Sequence, residues 1–166
     1  TYYTLMDIRR AGLADIDIIS WLAHEIWPQA YGSILSAEQL RYMLNWIYSP
    51  ASLRNQIENL QHNFFIISDN GAHTGFASCS AKSPDAPGVF RLHKIYVLPG
   101  QQGKGTGQKL LNHVVEYAQK AGASVLELNV NRHNKALLFY RKNGFIITKE
   151  EDIDIGNSYF MNDYVM

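Results

Sequence analysis

Cysteine is almost absent from this sequence of 166 residues. Cys79 stands alone, so no internal disulfide framework is available and a reducing, cytoplasmic setting fits. Net charge is missing as well: 15 Lys and Arg residues face 15 Asp and Glu residues. A nucleic-acid binder would normally carry a basic patch or stripe, so that class is not expected. No apolar run approaches the roughly 20 residues of a membrane span. There is no low-complexity tract, no internal repeat and no linker. No charged-then-apolar leader opens the chain, and "TYYTLMDIRR" already reads as a strand. With 46% hydrophobic residues, residues 1–166 are expected to form one domain with a sizeable core.

What is present is periodicity. Residues 4–9 alternate weakly, as an edge strand does. Leu13, Ile16, Ile19, Leu22, Ala23 and Ile26 repeat at helical spacing, with Pro28 and Gly32 expected to break that helix. Ser36 before "AEQL" reads as an N-cap for a helix over 37–47. Ser49 and Pro50 cap and open a third helix. The period then changes: "FFIIS" (64–68), the turn "DNG" and "TGFASCSA" (74–81) form an antiparallel pair. "VFRLHKIYVL" (89–98) is the longest strand pattern. An amphipathic helix over 104–121 stops at Gly122. A strand at 124–130, a short helix over 134–144 and strands at 145–151 and 158–165 complete the order β-ααα-βββ-α-β-α-ββ. That order predicts a mixed α/β protein, one sheet with helices on its faces.

Chemistry concentrates in "LPGQQGKGTGQKLL" (98–111). A Walker loop fails here, because Thr106 stands where lysine is required. The dinucleotide fingerprint fails at Gln108, and the loop follows an antiparallel meander rather than the first strand of a βαβ unit. Gln102-x-x-Gly105-x-Gly107 between a strand and a helix remains. Glycines there let backbone N–H groups approach an anion closely at a helix N-terminus, and a pyrophosphate is the natural guest. Tight strand–helix packing alone would also favour glycine.

With "IYVLP" before it, this loop resembles the acetyl-CoA loop of the GCN5-related N-acetyltransferases (GNAT). A second match, Asn134-x-Ala136-x-x-Phe139-Tyr140 followed by Gly144-Phe145, lies at the family's distance downstream. The element order is also that of the family, so the resemblance covers nearly the whole chain. It implies the GNAT fold, a mostly antiparallel sheet of about seven strands flanked by helices. It implies acetyl-CoA as cosubstrate and no metal. Gln102, Gly103, Lys104, Gly105, Thr106 and Gly107 would hold the pyrophosphate, with Lys104 adding charge. Ile95 and Val97 would pair through their main chain with the pantetheine arm, and Asn134 would contact it. Tyr140 would return a proton to the leaving thiolate, as a phenol protonated at neutral pH can; core packing is the other reading of a tyrosine in "LLFY".

The base is less defined. Many relatives use a glutamate on the long strand, whereas the same-face positions here are Arg91 and His93. His93 is the candidate base, since an unperturbed imidazole is mostly neutral at pH 7. The alternative is that His93 lines the cleft and the amine loses its proton to water; Glu127 is a weaker candidate. Cys79, within an apolar strand, reads as a small buried hydrophobe. Direct attack in a ternary complex is therefore expected, with a main-chain N–H of the long strand polarising the oxyanion.

The acceptor would be chosen by "EIWPQAYGSILS" (25–36) and by the acidic loop "KEEDIDIGNS" (149–158). Glu25, Tyr31, Glu151 and Asp152 are the candidate substrate contacts, and an acidic loop would attract a cationic amine. The pattern is similar to bacterial polyamine acetyltransferases of the PaiA type, which share the "Y-S-x-x-x-L" stretch seen at Tyr48–Leu53. A small amine is thus the expected partner. A protein N-terminus or lysine is the alternative, and a non-catalytic acetyl-CoA sensor is the rival from another class. Exposed strands at both chain ends permit a homodimer.

Overall fold

The computed structural model describes residues 5–166; the expected strand start at Thr4 lies outside them. Strand β1 is Met6–Ala11. After a short turn at Leu13–Asp15, helix α1 runs Ile16–Tyr31, straight through Pro28. The expected break does not occur. Proline removes one backbone donor, at a typical cost near 3 kcal/mol. Burial on the far side offsets that loss: Trp27 is 4% exposed and its ring meets Tyr31 at 4.6 Å.

Helices α2 (Ala37–Tyr48) and α3 (Pro50–Glu58) start where the caps predict. Ser36 Oγ accepts from the Gln39 N–H at 3.1 Å, and Ser49 Oγ accepts from the Ser52 N–H at 3.3 Å. Strands β2 (Asn63–Asp69), β3 (Ala72–Ala81) and β4 (Val89–Val97) form the meander. Then come α4 (Thr106–Lys120), β5 (Val125–Asn131) and α5 (Ala136–Lys142).

The end of the chain differs from expectation. The acidic stretch is not a loop but strand β6, Lys149–Gly156, paired with β7, Tyr159–Val165. Glu151, Ile153 and Ile155 turn inward in alternation, the period-2 pattern of a half-buried strand. Asn157 and Ser158, both at positive φ (53° and 64°), make the tight turn.

The seven strands lie in the order β1-β2-β3-β4-β5-β7-β6. Every neighbouring pair is antiparallel except β4–β5. Helices α1–α3 cover one face around Phe64, Ile66 and Phe76. Helices α4 and α5 cover the other around Phe65, Ile67 and Leu128. One irregularity positions the site. β5 pairs with β4 only over residues 125–128 against 89–92. Its remaining residues, Asn129 to Asn131, pair with β7 instead. The β5-facing edge of β4 is therefore left open from His93 onward.

Candidate active site

The glycine-rich loop leaves the open end of β4 and enters α4. Gly103 and Gly105 sit at φ +79° and +77°, and a Cβ on either would meet nothing within 4 Å. Glycine is there for its backbone conformation rather than for space, because an L side chain resists positive φ. Gly105 is the N-cap of α4 and offers no side-chain acceptor. The first helical bond runs from the Lys109 N–H to the Gly105 carbonyl at 3.0 Å. Among the described residues the amides of Thr106, Gly107 and Gln108 thus have no backbone partner, and their dipoles point out of the helix N-terminus, where an anion could be held.

A cleft of about 1540 Å³ runs from this loop through the open edge of β4. Gln102, Gly103, Gly105, Thr106 and Gly107 line one end, and Ile95, Val97, Asn134 and Tyr140 line its middle. Tyr140 is packed edge-on between Phe139 and Phe145. Burial, with Tyr31 adding to it, raises its pKa well above that of a free phenol, so the hydroxyl stays protonated. Among the described residues that hydroxyl donates to no partner. Tyr31, from the last turn of α1, shares a 2.9 Å hydrogen bond with Tyr96. The Asn134 amide donates to the Tyr31 hydroxyl at 3.4 Å, and its carbonyl accepts from the Ala136 N–H at 2.9 Å. Asn134 therefore ties the start of α5 to α1 across the cleft.

The far end of the cleft is built on a bulge. Ser78 faces Lys94 and Cys79 faces Leu92, so His93 is the extra residue in β4. His93 Nε2 lies 2.7 Å from Ser80 Oγ, and its ring stacks on His62 at 3.9 Å. Burial first, then His62, Lys94 and Arg91, pushes the His93 pKa down to about 3. Burial beside Lys94 lowers that of His62 to about 4. Lys94 reaches beneath α2 and α3, donates to Gln56 Oε1 at 2.7 Å, and lies over the rings of Phe64 and Tyr48. Desolvation brings its pKa down to about 7. Arg91 donates to Asn129 Oδ1, and Asn129 Nδ2 donates to Glu151 at 3.0 Å and Asp163 at 3.3 Å.

A family model of the GNAT acetyltransferase domain matches residues 33–160. The chain belongs to the GNAT acetyltransferase family. It is similar to the spermidine N(1)-acetyltransferase of Thermoplasma acidophilum, at 29% identity over 94% of this chain and 95% of that protein. An uncharacterized N-acetyltransferase of Methanocaldococcus jannaschii is 27% identical over 86% of this chain. The chain spans only 60% of that relative's length. Among solved structures, the T. acidophilum PaiA N-acetyltransferase in complex with coenzyme A superposes with a TM-score of 0.80. That likeness holds at 25% identity and covers 97% of both chains. The fold that the resemblance implied is thus the GNAT fold, and the chain is an acyltransferase of that family.

Within this GNAT domain, some of the expected site residues come together and others do not. His93 and Tyr31 line the cleft with the loop residues, but the exposed Lys104 does not. Glu25 is exposed on α1 and also lies outside it, since Ile26, Trp27 and Tyr31 are the helix positions that turn inward. Glu151 and Asp152 are absent from the lining as well, because β6 is a strand whose acids are already paired. Lys149 holds Glu151 at 2.7 Å, and Arg132 holds Asp152 at 2.8 Å. Glu127 pairs with Lys82 at 2.8 Å and is likewise outside the cleft. Cys79 is buried with its thiol pushed up to about 12, which removes it as a nucleophile.

Three cleft residues escaped the sequence reading. Lys94 was hidden by the bulge, since strict alternation from Arg91 selects His93 and turns Lys94 to the other face. Tyr96 looked like ordinary strand apolarity. Asp163, in "MNDYV", sits opposite Asn131 through a strand pairing that no local pattern announces.

Proposed function

We propose that this protein transfers the acetyl group of acetyl-CoA to the primary amine of a small molecule, by direct attack within a ternary complex. One observation carries the reading: the open edge of β4 runs between an uncapped glycine loop at one end and a buried, protonated Tyr140 hydroxyl beside the cleft. The free amides of 106–108 suit the pyrophosphate of coenzyme A, and the β5-facing edge of β4 at Ile95 and Val97, left open by the parting of the strands, suits its pantetheine arm. A main-chain N–H at the bulge would polarise the thioester carbonyl, as donors aimed at a developing oxyanion do. Tyr140 would protonate the departing sulfur.

His93 fits the role of base poorly. Its lone pair is weakly basic at a pKa near 3, and its Nε2 is engaged with Ser80. The support for a polyamine acceptor is now the similarity to the Thermoplasma spermidine acetyltransferase, because the β6 acids lie outside the cleft. A cytoplasmic setting belongs to the same reading, supported by the single buried cysteine. The test is release of coenzyme A thiol from acetyl-CoA with spermidine, with a free-amino-terminal peptide and with no acceptor. Release above the blank with spermidine is the expected result. Release with peptide alone would replace the small amine by a protein acceptor, and none with either would sink the transfer reading for both.

A further inference from the structure

We infer that Asp163 is the carboxylate that receives the acceptor's ammonium group and takes its proton. The inference rests on the acetyl-transfer reading above. A GNAT reaction at neutral pH needs a neutral nucleophile, yet most primary amines arrive protonated. The β4 positions that face the cleft offer Arg91, His93 and Lys94, and β5 offers Asn129 and Asn131. None of these is a carboxylate. Among the described residues that line the cleft, Asp163 is the one acid.

Its setting is that of a group waiting for a cation. Asp163 is 1% exposed, and among the described residues its carboxylate accepts a single hydrogen bond, the 3.3 Å contact from Asn129. Among the described residues no lysine, arginine or histidine pairs with it. Arg132 sends its Nε to the Asp163 backbone carbonyl at 3.3 Å and its terminal nitrogen to Asp152. Arg91 is occupied with Asn129 and, at 3.9 Å, Glu127. Glu151 stands directly across on β6. A carboxylate buried without a counter-ion is costly, and a bound ammonium would supply the missing partner.

Position supports chemistry. Asp163 pairs with Asn131 where β5 has left β4 for β7, and its carboxylate reaches back to Asn129, the first residue of β5 beyond the β4 pairing. Asp163, Tyr31 and Tyr140 line the same cleft, and Tyr31 is tied through Asn134 to the start of the helix that carries Tyr140. The carboxylate and the proposed acid therefore belong to one connected chamber. Burial raises the Asp163 pKa, with Glu151 adding to the rise and Asn129, Arg132 and Arg91 opposing it. A base nearer neutrality is better matched to an amine.

The proton balance is as follows. The ammonium gives one proton to Asp163, and its freed lone pair forms the N–C bond while the carbonyl opens. The C–S bond then breaks, and Tyr140 supplies the proton to sulfur. The second proton on nitrogen leaves to water, Asp163 releases its proton to solvent, and Tyr140 regains one. The sum is ammonium plus thioester giving amide, thiol and one proton.

The experiment compares wild type with Asp163→Asn and Asp163→Glu, using spermidine and acetyl-CoA between pH 7 and pH 10. Asp163→Asn is expected to lose ~10²-fold in kcat at pH 7, and the deficit should shrink toward pH 10, where the amine arrives neutral. Asp163→Glu should retain part of the activity. A deficit that is equal at both pH values, or no deficit, overturns the inference. Carbon-13 titration of the wild-type Asp163 carboxyl in the presence of coenzyme A provides an independent arm. Added spermidine should lower its pKa, and an unmoved titration also overturns the proposal. If spermidine moves that titration while no amine releases thiol, the transfer reading fails but the ammonium site stands.

Discussion

Tyr140 shows how one side chain can serve packing and chemistry together. Its ring is held by Phe139 and Phe145, while its hydroxyl has no protein partner among the described residues. Removing the hydroxyl should therefore cost little in stability and much in turnover. Tyr140→Phe is expected to keep its melting temperature and its affinity for acetyl-CoA. Its kcat should fall by ~10²-fold or more, the usual contribution of a positioned acid. Steady-state thiol release with a parallel binding titration checks this, and undiminished turnover would remove Tyr140 from the role of acid. Lys94 is the counterpart without a catalytic assignment. Its ammonium is buried under α2 and α3, and Gln56 is oriented to receive it because the Gln56 amide donates to the Ile47 carbonyl and Ser52 Oγ.

At the level of elements, the site depends on where strands cannot shift and where a loop must bend. Gly75 in β3 faces Val97 across the pairing with β4. A Cβ there would lie 2.6 Å from the Tyr96 carbonyl oxygen and 3.3 Å from the Val97 Cα. Both obstacles are backbone, so Gly75→Ala should push the end of β4 and destabilise by about 1–3 kcal/mol. Because that end is a wall of the cleft, affinity for acetyl-CoA should fall too. Gly105→Ala is a different case, since open space surrounds its Cβ and the cost comes from φ +77°. About 1 kcal/mol of destabilisation is expected. Denaturant melts with binding titrations test both, and a fully stable Gly75→Ala would show that β4 yields freely.

The molecule as a whole should carry a pH signature. Lys94 has a pKa of about 7 when folded and 10.5 as a free side chain. Between those values the unfolded chain binds more protons than the folded one, so stability rises with pH. The slope is at most about 1.4 kcal/mol per pH unit for one proton. His62 and His93, lowered to about 4 and 3 from 6.5, act with the same sign at lower pH. Cys79, raised to about 12 from 9.0, opposes it above pH 9. Thermal stability should therefore climb from pH 6.5 to 9, and Lys94→Met should flatten the climb. A climb that survives Lys94→Met would mean that Lys94 is not its source.

Periodicity, caps and the two glycine and asparagine motifs were local properties, and they determined the element order, the starts of α2 and α3, the glycine loop between β4 and α4, and the family. Local sequence erred where distant packing outweighed it. Pro28 should end α1, but Trp27 and Tyr31 bury against Tyr48 and Tyr96 and carry the helix onward. The acids of 150–154 looked like a free loop, yet alternation puts Glu150, Asp152 and Asp154 on the outer face of a strand and turns Glu151 inward with Ile153 and Ile155. The bulge at His93 and the placing of Asp163 beside Asn129 were decided by tertiary structure alone. Each depends on which strand lies next to which, and such pairing, Cys79 opposite Leu92 or Asn131 opposite Asp163, leaves no trace in either segment read by itself.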